Sequence, residues 1–143
     1  MFLIVDTNVL FSFFHSKSKV RESFKSLRER GVSLLVPQYM FDELLGIKPE
    51  ILRDCNLSVD EFSVSLALLL KLLEIVPEGE YEEFIEEAKR ISPHLKDAPL
   101  FALSLAFDKV PIWSREPRLK RQKVVKVLHD KEVVELYFGL AEP

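Results

Sequence analysis

Short runs of consecutive apolar residues alternate along this chain with longer amphipathic stretches. Apolar runs of this kind predict strands buried on both faces, and the amphipathic stretches between them predict helices. The alternation is typical of a parallel sheet that carries helices on its two faces. We therefore predict a three-layer αβα fold of the α/β class, with a central parallel sheet of about four to five strands. Residues 1–143 are predicted to form a single domain.

The predicted elements follow the apolar pattern and its breaks. The predicted strands cover residues 2–5, 32–36, 75–77, 111–113 and 124–128. The predicted helices cover residues 7–14, 18–30, 38–45, 58–73, 81–90, 98–107 and 131–140, and a short helix begins at Pro49. Ser58 and Glu61 match a capping box at a helix start. The stretch 98–107 is apolar nearly all round, which predicts a helix buried on more than one side.

Composition excludes several classes of protein. The single cysteine, Cys55, cannot form an intramolecular disulfide, and no Cys/His cluster indicates a zinc site. No apolar stretch approaches the roughly 20 residues of a membrane span. The first ten residues lack the basic region and the cleavage site of a secretory signal. We expect a cytoplasmic protein that has no membrane partner.

Charge is distributed unevenly along the chain. The net charge is −3, yet residues 115–126 hold six bases and one acid. Such a run is most often a solvated surface, but beside a phosphate-processing site it would attract a polyanion. The candidate RNA-binding residues are Arg115, Arg118, Lys120, Arg121 and Lys123. Single-stranded RNA also needs aromatic surfaces for base stacking, and the candidates are Phe13, Phe14, Tyr39 and Trp113, the last of which fits the core better.

Four acidic residues follow predicted strands or lie on the helices after them: Asp6, Glu43, Asp97 and Glu116. Ligands and chemistry gather at the carboxyl ends of parallel strands. Each acid alone has a plain explanation, because Asp caps helices and Glu is often solvated. Held close together, however, carboxylates repel unless a cation neutralises them. Carboxylate oxygens are the ligands that Mg²⁺ and Mn²⁺ prefer, so the set predicts a divalent metal site.

Glu43 is favoured over its neighbour Asp42 on the same helix. Successive helical residues point about 100° apart, so only one of the two can face inward. Glu43 borders the apolar side of the helix, whereas Asp42 lies nearer Gln38. Glu43 is therefore the better candidate for the site.

Four segments together resemble the PIN-domain ribonucleases, a family that includes the toxins of VapBC-type toxin–antitoxin pairs. They are Ile4-Val5-Asp6-Thr7-Asn8-Val9-Leu10, Phe41-Asp42-Glu43-Leu44-Leu45, the helix start from Lys96-Asp97-Ala98 to Ala106, and Ile112-Trp113-Ser114-Arg115-Glu116. The resemblance implies a PIN-like fold in which Asp6, Glu43 and Asp97 hold Mg²⁺ or Mn²⁺ and Glu116 is a further catalytic acid. Thr7, Asn8 and Ser114 would support these acids.

The chain also departs from this family pattern. The family more often has Asp at the position of Glu116, and the further acid that usually follows is replaced here by Pro117 and Arg118. The resemblance therefore implies one firmly bound ion and leaves open a second ion that binds only with substrate.

The function implied is a metal-dependent endoribonuclease that hydrolyses RNA, with an antitoxin protein and a second copy of the chain as further partners. Exposed Leu and Phe residues of 58–73 could form the dimer contact or could equally belong to the core. Two alternatives stay open: an RNA-processing nuclease without an antitoxin, and a catalytically degenerate module that binds RNA or protein. Receiver and haloacid-dehalogenase domains also place Asp after the first strand. The latter needs a second Asp where this chain has Asn8, and no Lys follows a late strand as a receiver requires.

Overall fold

A five-stranded parallel sheet forms the centre of the computed structural model, which describes residues 1–139. Its strands are β1 (Phe2–Val5), β2 (Ser33–Pro37), β3 (Leu73–Val76), β4 (Ile112–Trp113) and β5 (Val127–Leu128). The strand order is β3-β2-β1-β4-β5, and every neighbouring pair is parallel. Ile4 in the central strand pairs with both Leu35 and Ile112. The prediction of a three-layer α/β fold around a parallel sheet is confirmed.

Helices flank this sheet. Within residues 1–139 they are α1 (Thr7–Phe13), α2 (Val20–Glu29), α3 (Gln38–Gly46), α4 (Lys48–Asp54), α5 (Val59–Leu72), α6 (Ile85–Ile91), α7 (Ala98–Ala106) and α8 (Asp130–Tyr137). Short 3₁₀ turns cover Glu78–Glu80, Glu82–Phe84, Leu95–Asp97 and Pro117–Arg121. The last helix was predicted over 131–140; α8 ends at Tyr137, and residue 140 lies outside the described residues.

Helix α7 confirms the prediction made from its all-round apolar sequence. The five residues from Leu100 to Ser104 are fully buried, and the helix packs against β1 and β2. Burying one large side chain such as Phe101 contributes about 1.5–3 kcal/mol. The one polar group in this run, the Ser104 hydroxyl, donates a hydrogen bond of 2.7 Å to the carbonyl of Val110. The core thus fixes the start of α7, where Asp97 lies.

Other predicted elements also differ in the structure. Residues 81–84 were predicted as helix, but α6 begins only at Ile85, because Tyr81 adopts φ −132° and turns its ring into the core, where it is 1% exposed. Strand β5 is shorter than predicted, because the Gln122 side chain binds the backbone of Val124 and Val125 in place of a neighbouring strand. Strand β3 begins at Leu73, directly after α5 and two residues earlier than predicted.

None of the helices in residues 1–139 combines the length and the apolar character that crossing a membrane would require.

Replacing Ser58 with Ala should lower the free energy of unfolding by about 1 kcal/mol. The predicted capping box is confirmed: the Ser58 hydroxyl accepts a hydrogen bond from the Glu61 amide (3.0 Å), and the Glu61 carboxylate accepts one from the Ser58 amide (2.9 Å). Urea denaturation measures the loss. The matched control is Ser63→Ala, at an exposed position within the same helix, which should be neutral or slightly stabilising. Equal stabilities of the two variants would contradict the cap.

Candidate active site

A cleft of about 520 Å³ lies at the carboxyl ends of the central strands. The four acids singled out from the sequence all line it: Asp6, Glu43, Asp97 and Glu116. Asp6 directly follows β1, and Glu116 comes three residues after β4, the strand that pairs with β1. Glu43 is carried by α3, which follows β2 on the other side of β1. The strand order therefore brings acids from separate parts of the chain to one edge of the sheet.

Asp6 is held by hydrogen bonds on both carboxylate oxygens and is only 6% exposed. Its Oδ1 accepts from the Thr7 amide (2.7 Å) and from the Thr7 hydroxyl (3.3 Å), so Asp6 also caps α1. Its Oδ2 accepts from the Ser114 hydroxyl at 2.7 Å. These contacts fix the carboxylate at the floor of the cleft.

Ser114 joins the ends of β1 and β4. While its hydroxyl donates to Asp6, the same oxygen accepts from the Glu116 amide (3.0 Å) and from the Asn8 side chain (3.4 Å). Asn8 in turn accepts from the Arg115 amide at 3.3 Å. A hydroxyl has one donor and room for two acceptor contacts, so Ser114 is fully used. Thr7, Asn8 and Ser114 thus all contact Asp6 or its hydrogen-bond partner.

Burial raises the pKa of Asp6, since the charged carboxylate loses contact with water. The hydrogen bonds from Ser114 and Thr7 oppose this effect, and the negative charge of Asp97 adds to it. No basic side chain within residues 1–139 forms an ion pair with Asp6. Its negative charge is therefore offset by dipoles alone.

Asp97 has a different partner. It occupies the N-cap position of α7, yet its side chain makes no capping hydrogen bond. Instead, Oδ2 of Asp97 accepts a hydrogen bond of 3.1 Å from Nη2 of Arg118. The plain explanation of Asp97 as a capping side chain is thus wrong, and its carboxylate is paired with a cation inside the cleft.

The two glutamates are less constrained. Glu43 is exposed at the cleft, whereas Asp42 accepts a hydrogen bond from Gln38 (2.8 Å) and does not line the cleft, as predicted for this pair. One oxygen of Glu116 accepts from the Arg118 amide at 3.1 Å and so caps the 3₁₀ turn Pro117–Arg121. Both glutamates keep carboxylate oxygens that can serve a ligand.

The donor chemistry of the cleft suits a divalent ion, because carboxylate oxygens are the ligands that Mg²⁺ and Mn²⁺ prefer. The side chains are not gathered into a finished ligand shell, however. Within residues 1–139, no group of three Asp, Glu, His or Cys side chains is arranged to hold a metal ion. The acids share one cleft, and Asp97 is turned to Arg118.

The basic residues predicted to bind RNA fall into two groups. Three of them are paired with acids: Arg118 with Asp97, Arg115 with Asp130 through contacts of 3.0–3.2 Å, and Lys120 with Glu132. Arg121 and Lys123 are exposed on the surface. The net positive charge around this segment is thus smaller than the sequence suggests. Two acids of α8 lie beside the segment in the structure, although they lie outside it in the sequence.

Asp130 lies next to the chain's single tryptophan. Trp113 donates a hydrogen bond of 2.9 Å to Asp130 and is buried, as predicted. Burial alone would raise the pKa of Asp130, but the hydrogen bonds from Arg115 and Trp113 bring it below its usual range. This acid is therefore part of a structural network beside β4 and β5.

The aromatic candidates for base stacking are mostly in the core. Phe13 and Phe14 are fully buried, so their proposed stacking role is wrong: Phe13 packs against Phe24 of α2, and Phe14 stacks on Phe62 of α5. Tyr39 remains half exposed, in a groove that shares Lys96 with the acidic cleft. Lys96 lines the cleft and was missed in the sequence, where its only signal is its place beside Asp97. On α5, Phe62 and Leu69 are buried in the core, whereas Leu70 is exposed and remains available for the predicted dimer contact.

Replacing Asp6 with Asn should raise the melting temperature in metal-free buffer at neutral pH. The folded-state pKa of Asp6 is raised, so its protonated form is favoured by folding, and stability is lost as pH rises through that pKa. Asn removes the buried charge. The gain should shrink as the pH falls towards the ordinary Asp pKa, where the wild-type carboxyl is itself neutral.

Thermal denaturation in EDTA across this pH range measures the effect. Asp42→Asn, an exposed change on α3, is the control and should show little pH-dependent gain. An Asp6→Asn protein that is less stable than wild type at neutral pH would contradict the conclusion that the buried charge of Asp6 destabilises the metal-free protein.

Comparison with known proteins gives one clear result. A family model described as PIN domain matches residues 4–131, a span that includes all four cleft acids and Ser114. No curated protein matches the chain. PIN domains are generally nucleases and typically use divalent metals. The match over most of the chain, together with the five-stranded parallel sheet, shows that this protein belongs to the PIN-domain family.

Proposed function

We propose that this protein is a metal-dependent endoribonuclease that hydrolyses RNA phosphodiester bonds. The observation that carries the proposal is the convergence of Asp6, Glu43, Asp97 and Glu116 on one cleft. Close carboxylates raise each other's pKa and destabilise the fold unless a cation binds. The buried Asp6 has no such cation among the described residues, which supports a cleft built to receive one.

In this proposal Asp6, Glu43 and Asp97 hold Mg²⁺ or Mn²⁺. A divalent ion in a nuclease lowers the pKa of a water and offsets negative charge on the phosphate. Ser114 and Thr7 orient Asp6 through their hydrogen bonds. Glu116, which keeps one oxygen free of the Arg118 amide, would accept a proton from the attacking water.

RNA would be bound by basic side chains near the cleft. Lys96 and Arg118 line it directly, and the exposed Arg121 lies in the same 3₁₀ turn as Arg118, with Lys123 close behind. Attraction to phosphate is local and decays over a Debye length, so a net charge of −3 does not oppose it. Arg115 and Lys120 are weaker candidates, because neither lines the cleft and each is paired with an acid of α8.

In a narrower form of this proposal, the protein is a toxin and an antitoxin protein blocks its cleft. A homodimer is a further part of the proposal. An RNA-processing nuclease would have the same chemistry and no antitoxin. A small upstream reading frame in the genome would separate the two.

A second function is favoured by one observation. Asp97 is paired with Arg118 instead of joining a ligand cluster within residues 1–139. A PIN-like module that binds RNA or protein without cutting it could keep such a pair permanently. This alternative predicts RNA affinity that does not depend on a divalent ion.

Asp6→Asn and Asp97→Asn should each reduce cleavage of labelled RNA in Mn²⁺. The loss should exceed the ~10–100-fold that removal of an outer-shell partner costs, because each change removes a proposed metal ligand. Asp42→Asn is the matched control on the neighbouring surface and should retain activity. Cleavage that persists in both cleft variants would contradict the proposed ligand set. The binding module would be favoured if the wild-type protein binds RNA equally well with and without EDTA, and if none of the divalent ions tested supports cleavage.

Ser114→Ala should weaken Mn²⁺ binding by ~10–100-fold, the range seen when a hydrogen-bond partner of a metal ligand is lost. The hydroxyl donates to Oδ2 of Asp6, so its removal frees that carboxylate to rotate. Isothermal titration calorimetry measures the affinity. Ser114→Thr keeps the hydroxyl and should restore most of it. If Ala and Thr bind Mn²⁺ alike, the contact does not orient Asp6.

A further inference from the structure

The acidic cleft contains a cation of its own. Arg118 extends from the 3₁₀ turn Pro117–Arg121 into the cleft, and its side chain is 30% exposed. It contacts the carboxylate of Asp97, whose side chain is 9% exposed. This arginine is therefore the positive charge that the cleft supplies to one of its acids.

The pair between Arg118 and Asp97 is incomplete as a structural ion pair. Nη2 makes the contact of 3.1 Å, but Nε of the same guanidinium is buried and finds no hydrogen-bond acceptor within residues 1–139. A guanidinium carries several N–H donors in a rigid plane, and a buried ion pair stabilises a fold only when the remaining donors are also satisfied. A buried N–H without a protein acceptor is accounted for by a water, a ligand or another conformation of the side chain.

The backbone beneath this side chain is fixed. The Arg118 amide donates to Glu116, and the Glu116 amide donates to Ser114, which holds Asp6. A change of side-chain rotamer would therefore suffice to move the guanidinium within the cleft while its attachment point stays in place. An anchored backbone that carries a side chain 30% exposed in the cleft suits a group that exchanges partners.

We propose that Arg118 is a displaceable counter-cation: it holds Asp97 before a divalent ion binds, and afterwards it binds a phosphate oxygen of the RNA. The inference rests on the proposed nuclease function and adds a regulatory step at the same site. Asp97 cannot serve both cations fully, so the ion and the guanidinium compete for it. Released from Asp97, a planar guanidinium matches the geometry of a phosphate and can donate two hydrogen bonds to it.

Competition makes the first test a measurement of metal affinity without catalysis. Arg118→Gln should bind Mn²⁺ more tightly than wild type in calorimetry, by a factor within the range of about 5–150 that coupled binding sites show. Arg118→Met is a second uncharged variant that keeps an unbranched stem of similar bulk but lacks the guanidinium. Arg118→Lys keeps the positive charge and should change the affinity less. Arg121→Gln removes a charge from the same turn, outside the cleft, and should leave Mn²⁺ affinity unchanged.

A second test separates a moving arginine from a structural one. The probe is a short 2′-O-methyl RNA, verified to stay uncut, whose affinity is measured against salt concentration. Each phosphate contact contributes about 0.7 to the slope of log affinity against log salt for a single strand. Arg118→Gln should lower the slope by about that amount in Mn²⁺ and leave it unchanged in EDTA, where Asp97 retains the guanidinium. For Arg121→Gln, any effect should be equal in both buffers.

Circular dichroism first establishes which variants are folded. A wild-type protein that binds no Mn²⁺ would overturn the nuclease proposal and the role of Arg118 together. A second outcome would overturn only the role of Arg118. In that outcome the wild-type protein binds Mn²⁺ and Asp6→Asn does not, while the folded uncharged variants of Arg118 bind Mn²⁺ no more tightly than wild type. A slope change of the same size with and without Mn²⁺ would likewise show a permanent phosphate contact and overturn the exchange.

Discussion

Negative charge is concentrated where the central strand of a parallel sheet ends, and the rest of the site is arranged around that constraint. The carboxylate of Asp6 is buried at this point, and burial and the nearby Asp97 both raise its pKa. A fold keeps such a group only when hydrogen bonds or cations offset the loss of water. Ser114 and Thr7 supply the hydrogen bonds to Asp6, and they come from the residues that follow β4 and β1. The sheet edge thus buries the charge of Asp6, which destabilises the fold, and also supplies the hydrogen bonds that offset part of this effect.

The negative charges of the buried acids in the cleft are offset in two different ways. Asp6 is stabilised by neutral donors, which leave its charge in place, whereas Asp97 is paired with Arg118, which cancels charge. This asymmetry suits a proposed nuclease that must be stable before its metal arrives and must then give its carboxylates to that metal. In the proposed metal site, the exposed Glu43 would add a ligand at little structural cost, because a solvated carboxylate needs no internal partner. In the proposed site, the same arrangement would let the fold keep its shape before the ligands are assembled.

Several features were predictable because they depend on near neighbours in the chain. The Ser58 capping box, the buried helix α7 and the choice of Glu43 over Asp42 all follow from local spacing, and the structure agrees with each. The prediction failed where tertiary contacts outweighed local preference. Residues 81–84 have a helical pattern, but burial of the Tyr81 ring breaks the helix there. Phe13 and Phe14 were offered as surfaces for bases, yet the core takes both, since their apolar rings gain more from burial.

The sequence by itself determined the class of fold, the order of its elements and the acids that could form a site, because hydrophobic periodicity and residue chemistry act over short distances. Only the tertiary structure decided which groups meet. Ser114 reaches Asp6 across 108 positions of the chain because β4 lies beside β1, and Arg118 reaches Asp97 across 21 because the turn after β4 faces the start of α7. Likewise, the acids of α8 neutralise Arg115 and Lys120, which the linear charge pattern leaves unpaired. Such contacts depend on the strand order and the packing of helices on the sheet, and these are properties of the whole chain.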